Sequence, residues 1–192
     1  MKNPYVFGFM PLATIILFSL TFGLYSVTEA ISFFKEIGLY AGMREFLSDF
    51  QLRVFLLIIL SFSFFMVFSA LKLIAETIHE FAMLFFSKDV SGEGFREARS
   101  GNVIYFVGSM LSVIGIQSLQ ILIGIFLITT FIYFVYVVYR MSHYMNLLSM
   151  IGMVVFEIVV WSVFIAFILY VLLKLYNGLM ASLPILDENK SS

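Results

Sequence analysis

A single acid, Glu157, interrupts the otherwise uncharged run Leu147–Leu173. Counted from Leu147 it lies ten residues in, about 15 Å along a helix that rises 1.5 Å per residue. At the centre of a bilayer an acid costs on the order of 2.5–3.5 kcal/mol, so it must be protonated, hydrogen-bonded or in contact with water inside a bundle. Two roles fit: binding of a proton or cation, and a protonated contact that locks helix packing.

Equal depth predicts which side chains meet Glu157. Ten residues from the outer end of each other predicted span lie hydroxyl side chains: Ser19, Ser61 or Ser63, and Thr129 or Thr130. We therefore predict a candidate proton or cation site formed by Glu157, Ser19, Ser63 and Thr130. Lys72 differs from Glu157 in depth by about 12 Å on the same count, which makes it a poor partner.

A second set, Glu76, His79 and Glu80, shares one helix face through spacings of three and four. Glu-x-x-His occurs in carboxylate metal sites of bundles, but there it recurs on a second helix. The other histidine, His143, is predicted on the opposite side of the membrane. The pattern favours a solvated, membrane-proximal face with a Lys72–Glu76 pair over a metal site.

Other chemistry has little support in the sequence. The zinc-protease, nucleophile-elbow, phosphate-loop and dinucleotide patterns are missing from the 192 residues. The absence of cysteine excludes thiol catalysis and Cys-ligated metals, and a formal charge of −1 gives no reason to expect nucleic acid. We predict a protein that is not an enzyme and has no cofactor.

The composition identifies the solvent in which these residues act. Hydrophobic residues make up 62% of the chain and charged residues 12%, against about 25% charged in soluble domains. Such a chain has too few polar residues to cover a surface exposed to water, whereas a surface in contact with lipid can be apolar. The predicted fold class is an all-α integral membrane helical bundle, with four transmembrane helices and an interfacial amphipathic helix.

Hydropathy and charge divide one membrane domain, residues 1–192. Spans are predicted at 5–27, 54–74, 119–139 with a helical lead-in from 103, and 147–173; an outer amphipathic segment at 29–53; and a cytoplasmic linker at 87–102. Residues 103–139 are uncharged but too long for one straight span, so a long, a broken and a re-entrant helix all stay open.

The distribution of Lys and Arg sets the orientation. Four spans leave seven cations on one side (Lys2, Lys72, Lys88, Arg96, Arg99, Lys174, Lys190) and four on the other (Lys35, Arg44, Arg53, Arg140). A five-span alternative that splits 103–139 gives six against five. The stronger bias predicts a cell-membrane protein with both termini in the cytoplasm.

Small residues recur along the lead-in to the third span, at Gly101, Gly108, Ser112 and Gly115. On a helix this spacing forms a narrow seam that lets transmembrane backbones approach closely. We predict that this seam packs against another helix.

The stretches Asn3–Gly8 (NPYVFG) and Phe33–Arg44 (FFKEIGLYAGMR) resemble the YufK-like family of small multi-pass membrane proteins from Bacillus-type bacteria. The similarity extends over most of the chain. It implies a bacterial plasma membrane location, and it assigns no activity and no functional residue.

Two functions from different classes follow from these patterns. The first is a non-enzymatic accessory or assembly protein that acts through helix–helix or lipid contacts, with other membrane proteins or further copies of itself as partners. The second is a small proton- or cation-coupled transporter built around Glu157.

Overall fold

The computed structural model describes residues 4–87 and 99–182, and the side chains of 8–87 and 100–178. Within these ranges the chain is helical and holds no strand. The helices are α1 (Pro4–Glu36), α2 (Leu39–Phe46), α3 (Asp49–Phe86), α4 (Asn102–Leu111), α5 (Leu119–Met141) and α6 (Leu147–Ser182), with short 3₁₀ turns at Arg99–Gly101 and Ser112–Gly115. Helices α1, α3, α5 and α6 are long and apolar enough to cross a membrane. The predicted all-α bundle with four spanning helices is confirmed.

The outer segment 29–53 comprises three helical pieces rather than one. Helix α1 ends before Gly38, whose φ of 75° lies in the left-handed region that glycine adopts without strain. Ser48 begins α3 through a capping box with Gln51. Between these breaks lies α2, which has no buried residue and is the helix that matches the predicted interfacial one. The linker predicted at 87–102 falls largely on residues 88–98, outside the described chain.

Helices α1 and α3 form an antiparallel pair. Phe18 packs on Phe68 with ring centroids 5.9 Å apart, and Phe22 on Phe64 at 5.5 Å. Toward the other end of the pair, Val27 and Ile31 share a buried cluster with Leu52 and Leu56. Pro4 therefore starts at the end of the bundle where Phe86 finishes.

Residues 102–141 form a helical hairpin. Of the shapes left open for this segment, the structure therefore shows a broken helix whose two parts run in opposite directions. Gly101 lies against Tyr133 and Tyr136, Gly108 against Thr129, and Gly115 against Ile121 and Leu122. These contacts run in opposite directions along the two helices, so α4 is antiparallel to α5. The turn lies at residues 116–118, where the Ser118 N–H donates to the Gly115 carbonyl at 3.0 Å.

Helix α6 starts at the same end of the bundle as α4. Gly152 lies against Phe86, and Phe156 packs on both Phe85 and Phe86. Val137 and Met141, late in α5, join Ala82 and Met153 in one buried cluster. Helix α6 thus runs antiparallel to α3 and away from the end where α1 begins.

The sidedness of the helix ends along this path differs from the predicted one. The prediction had both termini on one side and His143 opposite the linker. In the structure Pro4 and Ser182 lie at opposite ends of the bundle, and the α5–α6 turn lies at the Phe86 end. The physical reason is the hairpin: α4 descends along α5, so the apolar run from 103 to 139 returns to the side from which it starts.

Candidate functional site

Glu157 is buried within the described bundle, with 6% of its surface exposed. It lies one turn after Met153, which is fully buried against Ala82, Val137 and Met141. Packing of this first part of α6 carries the carboxyl group into the space between α6 and α3. The acid singled out from the sequence therefore points into protein rather than lipid.

The partner of this acid is His79 on α3. The distance from its Nδ1 to Glu157 Oε1 is 2.7 Å, and the two side chains are 15% and 8% exposed. At this distance one proton lies between a ring nitrogen and a carboxylate oxygen. Neutral His with protonated Glu, and charged His with charged Glu, are two positions of the same proton, and both leave the pair without net charge.

The pair belongs to a polar stripe along α3. Lys72, Glu76 and His79 follow one another at four and three residues, and Met83 and Phe86 extend the same face toward α6. Lys72 donates to Glu76 within one turn. On α5, Tyr133 lies within electrostatic range of both Glu76 and Glu157. Helices α3, α5 and α6 thus surround one polar cluster.

The hydroxyl groups predicted around Glu157 make other contacts. Ser19, Ser63 and Thr130 each donate to the carbonyl group one turn earlier in their own helix, at 2.6, 2.9 and 2.8 Å. Thr130 also accepts from Tyr105 at 3.1 Å. The structure does not bring these three residues together around the acid, because α5 ends and α6 begins at the Phe86 end, opposite to the side from which the depths were counted.

The weak metal candidate is also divided among other contacts. His79 bonds to Glu157 and Glu76 to Lys72, while Glu80 is exposed. In the described part of the chain no group of three His, Cys, Asp or Glu side chains is placed to hold a metal ion.

The small-residue seam faces two neighbouring helices. A Cβ atom at Gly108 would lie 2.2 Å from Thr129 Oγ1, and one at Gly101 would lie 2.9 Å from the Tyr133 ring. Ser112 turns the other way, toward α1, where its hydroxyl lies 3.0 Å from that of Thr21. Gly115 lies beside Leu122 at the hairpin turn. The seam therefore joins α4 to both α5 and α1.

An open apolar groove of about 520 Å³ follows the outer side of this hairpin. It is lined by Val103, Ile104, Val107, Gly108, Leu111, Ile125, Ile128, Thr129 and Ile132. The groove lies along α4 and α5 and includes no residue of the polar cluster.

The sequence predicted a solvated helix face for His79, whereas its side chain is largely buried against Glu157. The predicted second span ends at residue 74, so the sequence places the residues that follow in water. The apolar run Phe81–Phe86, directly after the polar residues, was the available signal that α3 continues through an apolar environment. Phe81, Leu84 and Phe85 are exposed as lipid-facing side chains would be.

Four long apolar helices, a polar contact buried between two of them and a hairpin joined by a glycine seam define a multi-pass α-helical membrane protein. Residues 27–184 match the model of a family of unknown function, DUF5366, and the chain belongs to this family. It is 37% identical over 185 residues to the "Uncharacterized membrane protein YufK" of Bacillus subtilis (strain 168), an alignment that covers 96% of this chain and all of the relative. The resemblance noted in the sequence is confirmed. No solved structure matches the chain.

Proposed function

We propose that this protein is a non-enzymatic accessory or assembly protein of the cell membrane that acts by docking a transmembrane helix. The observation that carries this proposal is the second half of α6. Every side chain from Ile165 to Gly178 is exposed in the described chain, a stretch of about 21 Å at 1.5 Å per residue.

The composition of this stretch supports helix–helix contact. It is apolar around its whole circumference except at Lys174 and Asn177. A helix of this kind is covered by lipid or by other helices. The first half of α6 uses a glycine and a hydrogen bond for packing, whereas the second half leaves the bundle. We infer that a second copy of the chain or another membrane protein covers one face of it, with membrane lipid on the rest.

Cysteine scanning along 165–178 tests this proposal, since the natural chain has no cysteine. For a second copy, oxidation in native membranes should give dimers of twice 22.0 kDa at positions that repeat every three or four residues. For a different partner, a photo-crosslinker at the same positions should give one discrete heavier adduct. Leu148, which is 81% exposed in the packed half of α6, is the matched control. If only lipid adducts form all around the helix, the proposal fails.

We further propose that the end where α1 begins faces the cytoplasm. The path of the described helices leaves Lys174 toward the opposite end and Arg140 at this one. Counting each cation outside the described chain with the helix end next to it in the sequence gives six against five. The bias is supported by Lys88, Arg96 and Arg99, three cations within one short connection. The C-terminal end of α6 is then extracytoplasmic.

A second candidate function, a proton- or cation-coupled transporter, is favoured by the His79–Glu157 pair. Ionisable groups buried between spanning helices commonly belong to proton relays and ion paths. In proteoliposomes Glu157→Gln should abolish flux driven by a pH or ion gradient, whereas Ser162→Ala, on the same helix, should leave it unchanged. Wild-type protein without gradient-dependent flux would remove this candidate and leave the docking proposal.

A further inference from the structure

The attachment of α6 to the bundle ends near the His79–Glu157 pair. Before it along α6 come Gly152 on Phe86, Met153 in its buried cluster, and Phe156 on Phe85 and Phe86. After it, Trp161 and Phe164 are partly exposed, and from Ile165 onward all described side chains are exposed. A polar contact therefore lies where α6 separates from α3.

We propose that His79 and Glu157 form a proton-binding site that acts as a proton-responsive joint between α3 and α6. With one proton the pair is uncharged, whichever group holds it. A second proton, taken from water, gives imidazolium beside a carboxylic acid and a net charge of +1. Loss of the single proton to water leaves neutral imidazole beside a carboxylate and a net charge of −1. The proposal concerns proton binding and needs no proton transport.

The apolar surroundings favour packing of α6 against α3 when the His79–Glu157 pair holds one proton and has no net charge. A net charge between apolar helices is unfavourable unless it is paired or hydrated. Helix α1 carries no charge between Lys2 and Glu29, and α6 carries none from Leu147 to Lys174 except Glu157. A charged pair would therefore favour an arrangement in which α6 moves away from α3 and water reaches the two side chains.

Among the described residues, the other titratable groups near the pair lie on α3 and α5. On α3, Glu76 is bound to Lys72, and Glu80 is exposed next to His79 in the sequence. On α5, Tyr133 lies in electrostatic range of Glu157 and packs on Tyr105 of α4, with ring centroids 4.8 Å apart. Glu80 is an exposed carboxyl group next to His79 in the sequence, so Glu80→Gln is the matched control.

The chain contains reporters for both parts of the proposal. Trp161 is the only tryptophan and lies one turn after Glu157 on the same face of α6. His79 and His143 are the only histidines, so ¹⁵N-histidine labelling combined with His143→Gln gives the signal of His79 alone. Both reporters can be followed in lipid nanodiscs from about pH 5 to about pH 9, a range centred near neutral pH.

In the otherwise wild-type chain, quenching of Trp161 by brominated lipid should change at least about twofold over this range, at the same pH at which the His79 signal changes. Glu157→Gln should remove the quenching change and shift the pH of the His79 transition. Glu80→Gln should leave both unchanged. Glu157→Asp, which keeps the carboxyl group, should retain the quenching change. That result would show that Glu157→Gln loses the change because the carboxyl group is gone and not because the fold is lost.

Three results would overturn the joint. The first is a His79 signal in Glu157→Gln identical to that of the parent chain, which would mean that the two groups do not share a proton. The second is a His79 transition without a change at Trp161, which would mean that proton binding does not move α6. The third is a Trp161 change that persists in Glu157→Gln. None depends on crosslinking of α6 to a partner, so the docking proposal succeeds or fails separately.

Discussion

Helices α1 and α6 are both long and apolar, but they are held in opposite ways. Helix α1 contacts α3 through Phe18 and Gly23, and it contacts Ser112, the first residue after α4, through Thr21. It is packed along much of its length. Helix α6 is held over its first three turns and then leaves the bundle. Lipid tails are as apolar as leucine, so hydrophobicity alone does not bring helices together in a membrane. Helices associate in a membrane through close approach at small residues and through hydrogen bonds between helices.

The two helices use these devices over different lengths. Gly23 lets Ser61 of α3 approach so closely that a Cβ atom would lie 2.2 Å from the hydroxyl oxygen. Gly152 and Glu157 have equivalent roles on α6, against Phe86 and His79. After Glu157, α6 has no further glycine until Gly178, where a Cβ atom would meet nothing within 4 Å. Helix α6 separates from the bundle where its packing residues end.

The direction of α6 gives the largest expected effect, a change in which side of the membrane a residue reaches. Single cysteines at 42, 87, 143 and 182 can be labelled with an impermeant maleimide in intact cells. We expect 87 and 143 to share one side and 42 and 182 the other. Labelling that pairs 143 with 42, or 182 with 87, would contradict the hairpin and support the predicted arrangement, in which both termini lie on one side of the membrane.

The glycine contrast gives the largest expected change in stability. Gly23→Leu should lower stability by about 3 kcal/mol or more, because neither Ser61 nor the α3 backbone can move far enough to admit the side chain. Gly178→Leu on α6 should change it by less than about 0.5 kcal/mol. Thermal aggregation of the purified variants in detergent measures both. Equal sensitivity would mean that the second half of α6 is packed in the protein after all.

The hydrogen bond to His79 tests whether α6 is held by a polar contact. Glu157→Leu should cost roughly 1–2 kcal/mol, the upper range for hydrogen bonds between transmembrane helices. With His79→Phe added, the double variant should lose less than the sum of the two single losses, because neither partner is left behind. Ser162→Leu, which changes a hydroxyl outside the pair, is the control. Strictly additive losses would mean that the His79–Glu157 contact contributes no interaction energy to stability.

The smallest effect concerns α2, the helix outside the paired spans. The Tyr40 hydroxyl donates to Asp49 at 2.6 Å, and this hydrogen bond to a carboxylate raises the pKa of Tyr40 above its usual value of about 10. A raised pKa stabilises the folded protein below about pH 10 and loses that contribution as the pH rises through the raised value. Tyr40→Phe should remove this alkaline dependence of α2 docking, measured by hydrogen exchange of 39–46. An unchanged pH profile in Tyr40→Phe would mean that a group other than Tyr40 causes the alkaline dependence.

The sequence predicted the helices better than their neighbours. Uncharged runs of about 20 residues report that a segment spans, because lipid requires them. They do not report what the segment packs against, since all such runs have similar hydrophobicity. The seam at Gly108 was recognisable because small residues at helical spacing have a direct packing meaning. The partner of Glu157 is not predicted because the depth of the acid is counted from the outer side, whereas α6 begins at the Phe86 end of the bundle.

The hairpin also governs how the chain enters the membrane during synthesis. Helix α4 and its 3₁₀ turn span Asn102–Gly115, too short to cross about 30 Å of hydrocarbon alone. Its glycines need α5 beside them to be covered. Because α4 needs α5 beside it, we expect α4 to insert only after α5 has been translated, that is, after Met141. Chains truncated at residue 118 should leave α4 accessible to protease, whereas chains extended through 141 should protect it.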